Sequence, residues 1–248
     1  MSDQQEADAQ VMPVTASMAL LRRRKLEATQ ALLGDTISIT DEQWHEPSRL
    51  TGWTRAHVAT HLARNADGLR RVVHGLLTHV PTTMYPDERT RRRELEAGSR
   101  RGALELQIDL DTSTGDLNET FDYLQQAGIA DDVEVRPGVW MPAHHLVVAR
   151  LNEVVLHRID LDHGFTAGQL EADIARWLLE WNCQRIARRQ DFPALQVSST
   201  SGFTARIGPK DADAPLVRGS DAHLLGWLTS RASADEVHGA ESLELPEL

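Results

Sequence analysis

One cysteine, Cys183, is all that the 248 residues contain. A lone cysteine excludes an internal disulfide framework and suits a reducing cytoplasm. It also leaves any thiol chemistry to Cys183 itself or to a thiol brought from outside. Long apolar runs are missing too: none approaches the roughly 18–20 residues that a membrane-crossing helix needs. The N-terminal stretch lacks the order of a signal peptide, because Arg22-Arg23-Arg24-Lys25 follows Met18-Ala19-Leu20-Leu21 instead of preceding it. Positive charge is scarce. With 26 Lys and Arg against 37 Asp and Glu, the formal charge of −11 argues against non-specific binding to nucleic acid or to an anionic membrane. There are no internal repeats, no Cys-x-x-Cys, and only the single glycine of Arg218-Gly219-Ser220 where a phosphate loop would need several. The His-Glu-x-x-His of metalloproteases is absent as well, since Thr60 precedes His61 and Ala56 and Val58 flank His57. Cys183, on an aromatic-rich segment with Trp177 and Trp181, is read as a small buried apolar residue.

What is present is mostly helical periodicity. Residues 1–12 are polar and acidic and are expected to form a disordered tail. From Pro13 to about Leu33, Val14, Met18, Leu21, Ala28 and Leu32 share one helical face, with Lys25 the one break in the stripe. Thr54 is placed to cap a second helix running towards His79, and the prolines of residues 80–86 end it. Further helices are expected over about 87–109 and 114–126. A small hairpin over 133–141 follows, then a helix that Pro142 can start and that stops near Gly164. These lengths predict an antiparallel four-helix bundle over residues 13–166. A helix over about 171–190, three β-like segments (195–199, 203–207, 216–219) and a helix over about 221–232 predict a small C-terminal α/β domain, 167–248. The fold class is therefore α+β.

The chemistry centres on Glu153 and His157. Residues at i and i+4 share a helix face, with Cβ atoms about 5–6 Å apart. Val154, Val155, Leu156 and Ile159 around them are apolar. A carboxylate on a buried helix must be paired, hydrogen-bonded or metal-bound. His57 and His61, also four apart, offer a third donor. Either could face Glu153, though His57, in the first helical turn, is expected to be exposed. Two histidines and a glutamate around an open position form a known catalytic zinc arrangement. A plain ion pair on a helix face is the competing reading.

The segment Gly52-Trp53-Thr54-Arg55-Ala56-His57-Val58-Ala59-Thr60-His61, paired with the later Glu153-x-x-x-His157, resembles the mycothiol-dependent maleylpyruvate isomerases of the DinB-like superfamily. The resemblance covers nearly the whole chain and implies a DinB-like bundle with a small C-terminal domain. It implies zinc on His61, Glu153 and His157, with His57 outside the ligand set. Met84-Tyr85, then Arg91, resembles the family's loop that brings an arginine to the site, and Arg231 resembles a second such arginine. The implied activity is isomerisation of maleylpyruvate to fumarylpyruvate by reversible addition of the mycothiol thiolate. Its partners are a small dicarboxylate substrate and a low-molecular-weight thiol. A mycothiol S-transferase and a non-catalytic metal- or thiol-sensing module are the alternatives. A zinc hydrolase, for want of an adjacent base, would have to recruit Asp160 or Asp162.

Overall fold

A computed structural model describes residues 16–128, 131–187, 189–209, 212–241 and 243–246. The expected tail at residues 1–12 lies outside them. The fold is mixed α+β, helical first, with strands concentrated towards the C-terminus. It divides into two compact units, Met18–Phe165 and a second from Thr166 onward.

In the first unit, α1 (Met18–Thr36), α3 (Arg55–Thr78), α5 (Ala103–Ala127) and α6 (His145–Asp160) form the bundle. α3 packs on α5 and α6, and α1 packs on both α6 and α5. α1 starts later than the apolar stripe suggests and runs past Gly34, whose φ is not positive and which therefore stays in the helix. A short helix, α2 (Asp41–Trp44), was not expected; it forms because Thr40 and Gln43 make a capping box and because Trp44 is fully buried.

The expected break at residues 109–114 is wrong. The chain turns at residues 99–102 instead, between α4 (Glu88–Gly98) and α5. Leu106, Leu110, Leu117, Phe121 and Leu124 make one buried stripe that runs through the polar Asp111-Thr112-Ser113-Thr114, and burial overrides the low helix propensity of that run. At the actual turn Gly98 sits so close to α3 that a Cβ there would lie 2.3 Å from Thr60 Cγ2. The close approach of α4 to α3 therefore demands glycine.

β1 (Asp132–Arg136) and β2 (Val139–Pro142) form the antiparallel hairpin. Pro142 pairs opposite Asp132 as the last residue of β2, so it does not start α6, which begins at His145. The second unit holds α7 (Ala172–Ile186), a sheet ordered β4-β3-β5 and α8 (Asp221–Leu228). β3 (Leu195–Ser199) runs antiparallel to β4 (Thr204–Ile207) and parallel to β5 (Leu216–Gly219). Among the described residues no helix is long and apolar enough to cross a membrane.

Candidate metal centre

His61 faces inward near the start of α3, and Glu153 and His157 occupy successive turns of α6. Two arginines tie these helices together, one on each side of the three residues. Arg55, opening α3, donates to the carbonyls of Leu161 (2.7 Å) and Asp162 (3.2 Å) just past the end of α6. Arg150, fully buried on α6, donates to the α3 carbonyl of Leu62 (2.9 Å) and to Asn65 Oδ1 (2.8 Å). The register of the two helices at the site is thereby fixed from both ends.

Between these ties the donor atoms converge. Glu153 Oε2 lies 2.9 Å from His61 Nε2 and 3.5 Å from His157 Nε2. The three residues each offer a ligand atom within 4.8 Å of the others, the one such group among the described residues. The two imidazoles meet edge-on at 4.6 Å between ring centres, and Trp53 lies against His61 at 5.5 Å. Glu153 keeps 25% of its side-chain surface and the histidines 11% and 13%, so the donors are largely buried yet still reached by solvent.

The electrostatics suit a cation. Burial opposes charge on Glu153, yet hydrogen bonding and the charges of His157 and His61 hold its carboxyl well below the usual range. Burial pushes His61 down against the pull of Glu153, with the charges of His157 and then Arg91 adding to the fall. Burial also opposes charge on His157, but Asp160 and Glu153 together raise it. Asp160 is completely buried, and its Oδ2 accepts from His157 Nδ1 at 2.8 Å. With Nδ1 engaged by Asp160, Nε2 is the nitrogen left to face Glu153 or a bound ion, the arrangement by which a carboxylate orients a ligating histidine. Sequence reasoning gave Asp160 no such role. The signal was available, because a residue at i+3 from His157 shares its helix face.

The local fold also decides between the two α3 histidines. His57 is the N3 residue of a capping box, and its Nδ1 accepts the Thr54 N–H at 3.2 Å and meets Thr54 Oγ1 at 2.7 Å. Its acceptor nitrogen is spent on the helix end, and its other nitrogen lies 3.9 Å from Glu96. Contrary to expectation His57 is half-buried, because the cap folds it against Trp53.

Within the run 89–93, Arg91 is the one arginine that is not exposed, and it pairs with Glu88 at 2.9 Å. Its guanidinium lies 5.7 Å from the Tyr85 ring centre, while Arg89, Arg92 and Arg93 are exposed along a surface depression on α4. Arg231 belongs to the second unit, beyond the end of α8, where its guanidinium donates to the Thr229 carbonyl. Cys183, also in that unit, is buried, and burial pushes its thiol up to about 12.

Replacing Asp160 with asparagine is expected to weaken binding of a divalent cation at the three donors by about 10–100-fold, the usual cost of losing such an orienting partner. Chelator competition measures it. Unchanged affinity would mean that His157 needs no partner to point at Glu153.

Residues 9–162 match the family described as the mycothiol maleylpyruvate isomerase N-terminal domain. Two solved structures share the fold, each covering 94% of this chain and 98% of theirs. They are the mycothiol-dependent maleylpyruvate isomerase (TM-score 0.85, 24% identity) and its histidine-to-alanine mutant (TM-score 0.85, 23% identity). No functionally curated protein matches the chain. With the family match spanning well over half of its length, the chain belongs to the mycothiol maleylpyruvate isomerase N-terminal domain family.

Proposed function

We propose that this chain is a zinc- and thiol-dependent cis–trans isomerase that converts maleylpyruvate to fumarylpyruvate with mycothiol as the thiol. The observation that carries this reading is the partly solvent-reached three-donor cluster of His61, Glu153 and His157 in a chain whose own thiol is buried and held protonated. Family membership and the likeness in fold to the mycothiol-dependent isomerase support the choice of thiol and substrate.

His61, Glu153 and His157 would hold the ion. Two imidazoles and a carboxylate are a donor set that zinc accepts while keeping a further position open. Bound there, zinc supplies the charge that deprotonates a coordinating thiol. The chain's residues do the rest. Asp160 fixes the His157 tautomer, and Glu153 supplies the one negative charge among the three donors. Arg91 would exchange its pair with Glu88 (2.9 Å) for a substrate carboxylate, which matters in a protein of net charge −11 acting on a dianion.

The chemistry follows from the alkene. The thiolate adds to one alkene carbon, and the π electrons move through the conjugated ketone onto its oxygen. The former double bond, now single, rotates. Collapse of the enolate re-forms the alkene as trans and expels the thiolate, so the thiol is neither consumed nor oxidised.

The test is an assay of metal-stripped and zinc-reloaded protein on maleylpyruvate with mycothiol, glutathione or no thiol. Turnover is expected only with zinc and thiol together, with mycothiol recovered in full. Stoichiometric loss of thiol would indicate a transferase, and turnover without metal or thiol would sink the proposal.

A further inference from the structure

The loop from Val80 to Asp87 is pinned at several points, and among the described residues one side-chain hydroxyl on it has no hydrogen-bond partner. Val80 N–H donates to Gly75 O at 2.9 Å, and Met84 N–H donates to Val135 O on β1 at 3.1 Å. Met84 is buried, packs against Gly68, and its carbonyl accepts from Arg71 Nε at 3.1 Å. Thr83 Oγ1 donates to the Tyr85 carbonyl at 2.8 Å. Tyr85 is therefore held on a fixed backbone. Its ring lies near two guanidinia, Arg71 at 5.9 Å and Arg91 at 5.7 Å. Among the described residues its hydroxyl has no hydrogen-bond partner, and the side chain is only half-buried. It is also close enough to the metal centre for the Glu153 charge to act on it, alongside those of Arg91, Arg136 and Arg71.

A rigid phenol whose donor is unclaimed, in the charge field of the metal-binding carboxylate, is suited to a ligand oxygen. We propose that Tyr85 is a catalytic residue whose O–H donates a hydrogen bond to the substrate ketone oxygen, where negative charge gathers as the thiolate adds. This rests on the reading of the site as a thiol-dependent isomerase. The carbon–sulfur bond forms as the alkene π bond breaks, the electron pair passes to the ketone oxygen, and the phenol proton stays on Tyr85. When the carbon–sulfur bond breaks, the pair returns and the phenol is unchanged. A donor aimed at developing charge stabilises the transition state more than the ground state. Burial favours the neutral phenol over phenolate, so the donor persists at neutral pH. Arg71 and Arg91 orient the ring by contact with its face.

Tyr85→Phe removes only the oxygen. The expected result is a fall in kcat of about 10²–10³-fold, as for loss of one oxyanion donor. KM, zinc affinity and melting temperature should stay close to wild type. A kcat within twofold of wild type, or a loss confined to KM, overturns the assignment. Should the variant melt early, fluorotyrosine labelling takes its place, since the chain has two tyrosines and the other, Tyr123, is 63% exposed. The more acidic fluorinated phenol loses its donor at lower pH, so the alkaline limb of kcat should move down; a limb that stays put overturns the proposal. Wild-type protein run in parallel separates the two readings. If it fails to isomerise, the functional reading is at fault; if it turns over and the variants match it, only the role of Tyr85 falls.

Discussion

Glu153→Gln should abolish stoichiometric zinc binding and lower kcat/KM by about 10⁴-fold or more, the scale seen when one member of a cooperating catalytic set is removed. Glu153 Oε2 is the atom that both imidazoles approach, at 2.9 and 3.5 Å, and it carries the only negative charge among the donors. The amide matches its shape but brings a neutral oxygen and an N–H₂ that could face the histidines. The fold should survive, because α6 is held by buried Leu146, Leu151, Val154 and Ile159 and by the Arg150 hydrogen bonds to α3, which remain although the change removes the Glu153 charge that supports the buried guanidinium. Calorimetry with and without zinc then gives a second reading. Zinc should raise the melting temperature of wild type by mass action, and that rise should vanish in the variant. If Glu153→Gln retains one zinc per chain and full turnover, the centre has been misplaced.

How much of this was legible in the sequence depended on whether the signal was local. The i, i+4 spacing of Glu153 and His157 is a property of the helix itself, and the structure brings their ligand atoms together with that of His61. The choice between His61 and His57 also had a local cause, the capping box at Thr54, but the usual N3 partner is Glu or Gln, and histidine in that place gave little warning. The boundary between α4 and α5 was not legible. Polar Asp111-Thr112-Ser113-Thr114 reads as a break, and the contacts of α5 with α3 and α1 hold it helical. The real turn is set by a close approach, Gly98 against Thr60, between residues 38 positions apart. Tyr85 stood out only as part of the Met84-Tyr85 loop, with no role of its own, for a similar reason. Its partners come from α3 and α4, and an unclaimed hydroxyl cannot be seen until every neighbour is in place.

Lys25→Met should stabilise the protein, by about 1–4 kcal/mol at pH 6, the range found when buried charges are replaced by apolar groups of similar volume. Lys25 interrupts the apolar stripe of α1, yet it is not turned outward: it is 3% exposed, with its ammonium 5.4 Å from the Phe121 ring centre and bonded to Asn118. Burial pushes its pKa from 10.5 down to about 7, with the Arg150 and Arg22 charges adding to the fall and Asp122 opposing it. In the window between those two values the unfolded chain holds the proton and the folded chain does not, so stability climbs with pH. Below about 7 both states are charged and the full cost of the buried ammonium is present. Methionine keeps the length and removes the charge. Asn118 is half-buried, so its amide can turn to water when the ammonium is gone. The advantage of the variant should therefore be largest at pH 6 and shrink as the pH approaches 10. At about 2–4 °C per kcal/mol for a unit of this size, thermal melts across that pH range can resolve it. Turnover should not change, since α1 supplies none of the metal donors. A variant less stable than wild type at pH 6 would show that the Asn118 bond and the Phe121 contact outweigh desolvation, and that the bundle core depends on this cation.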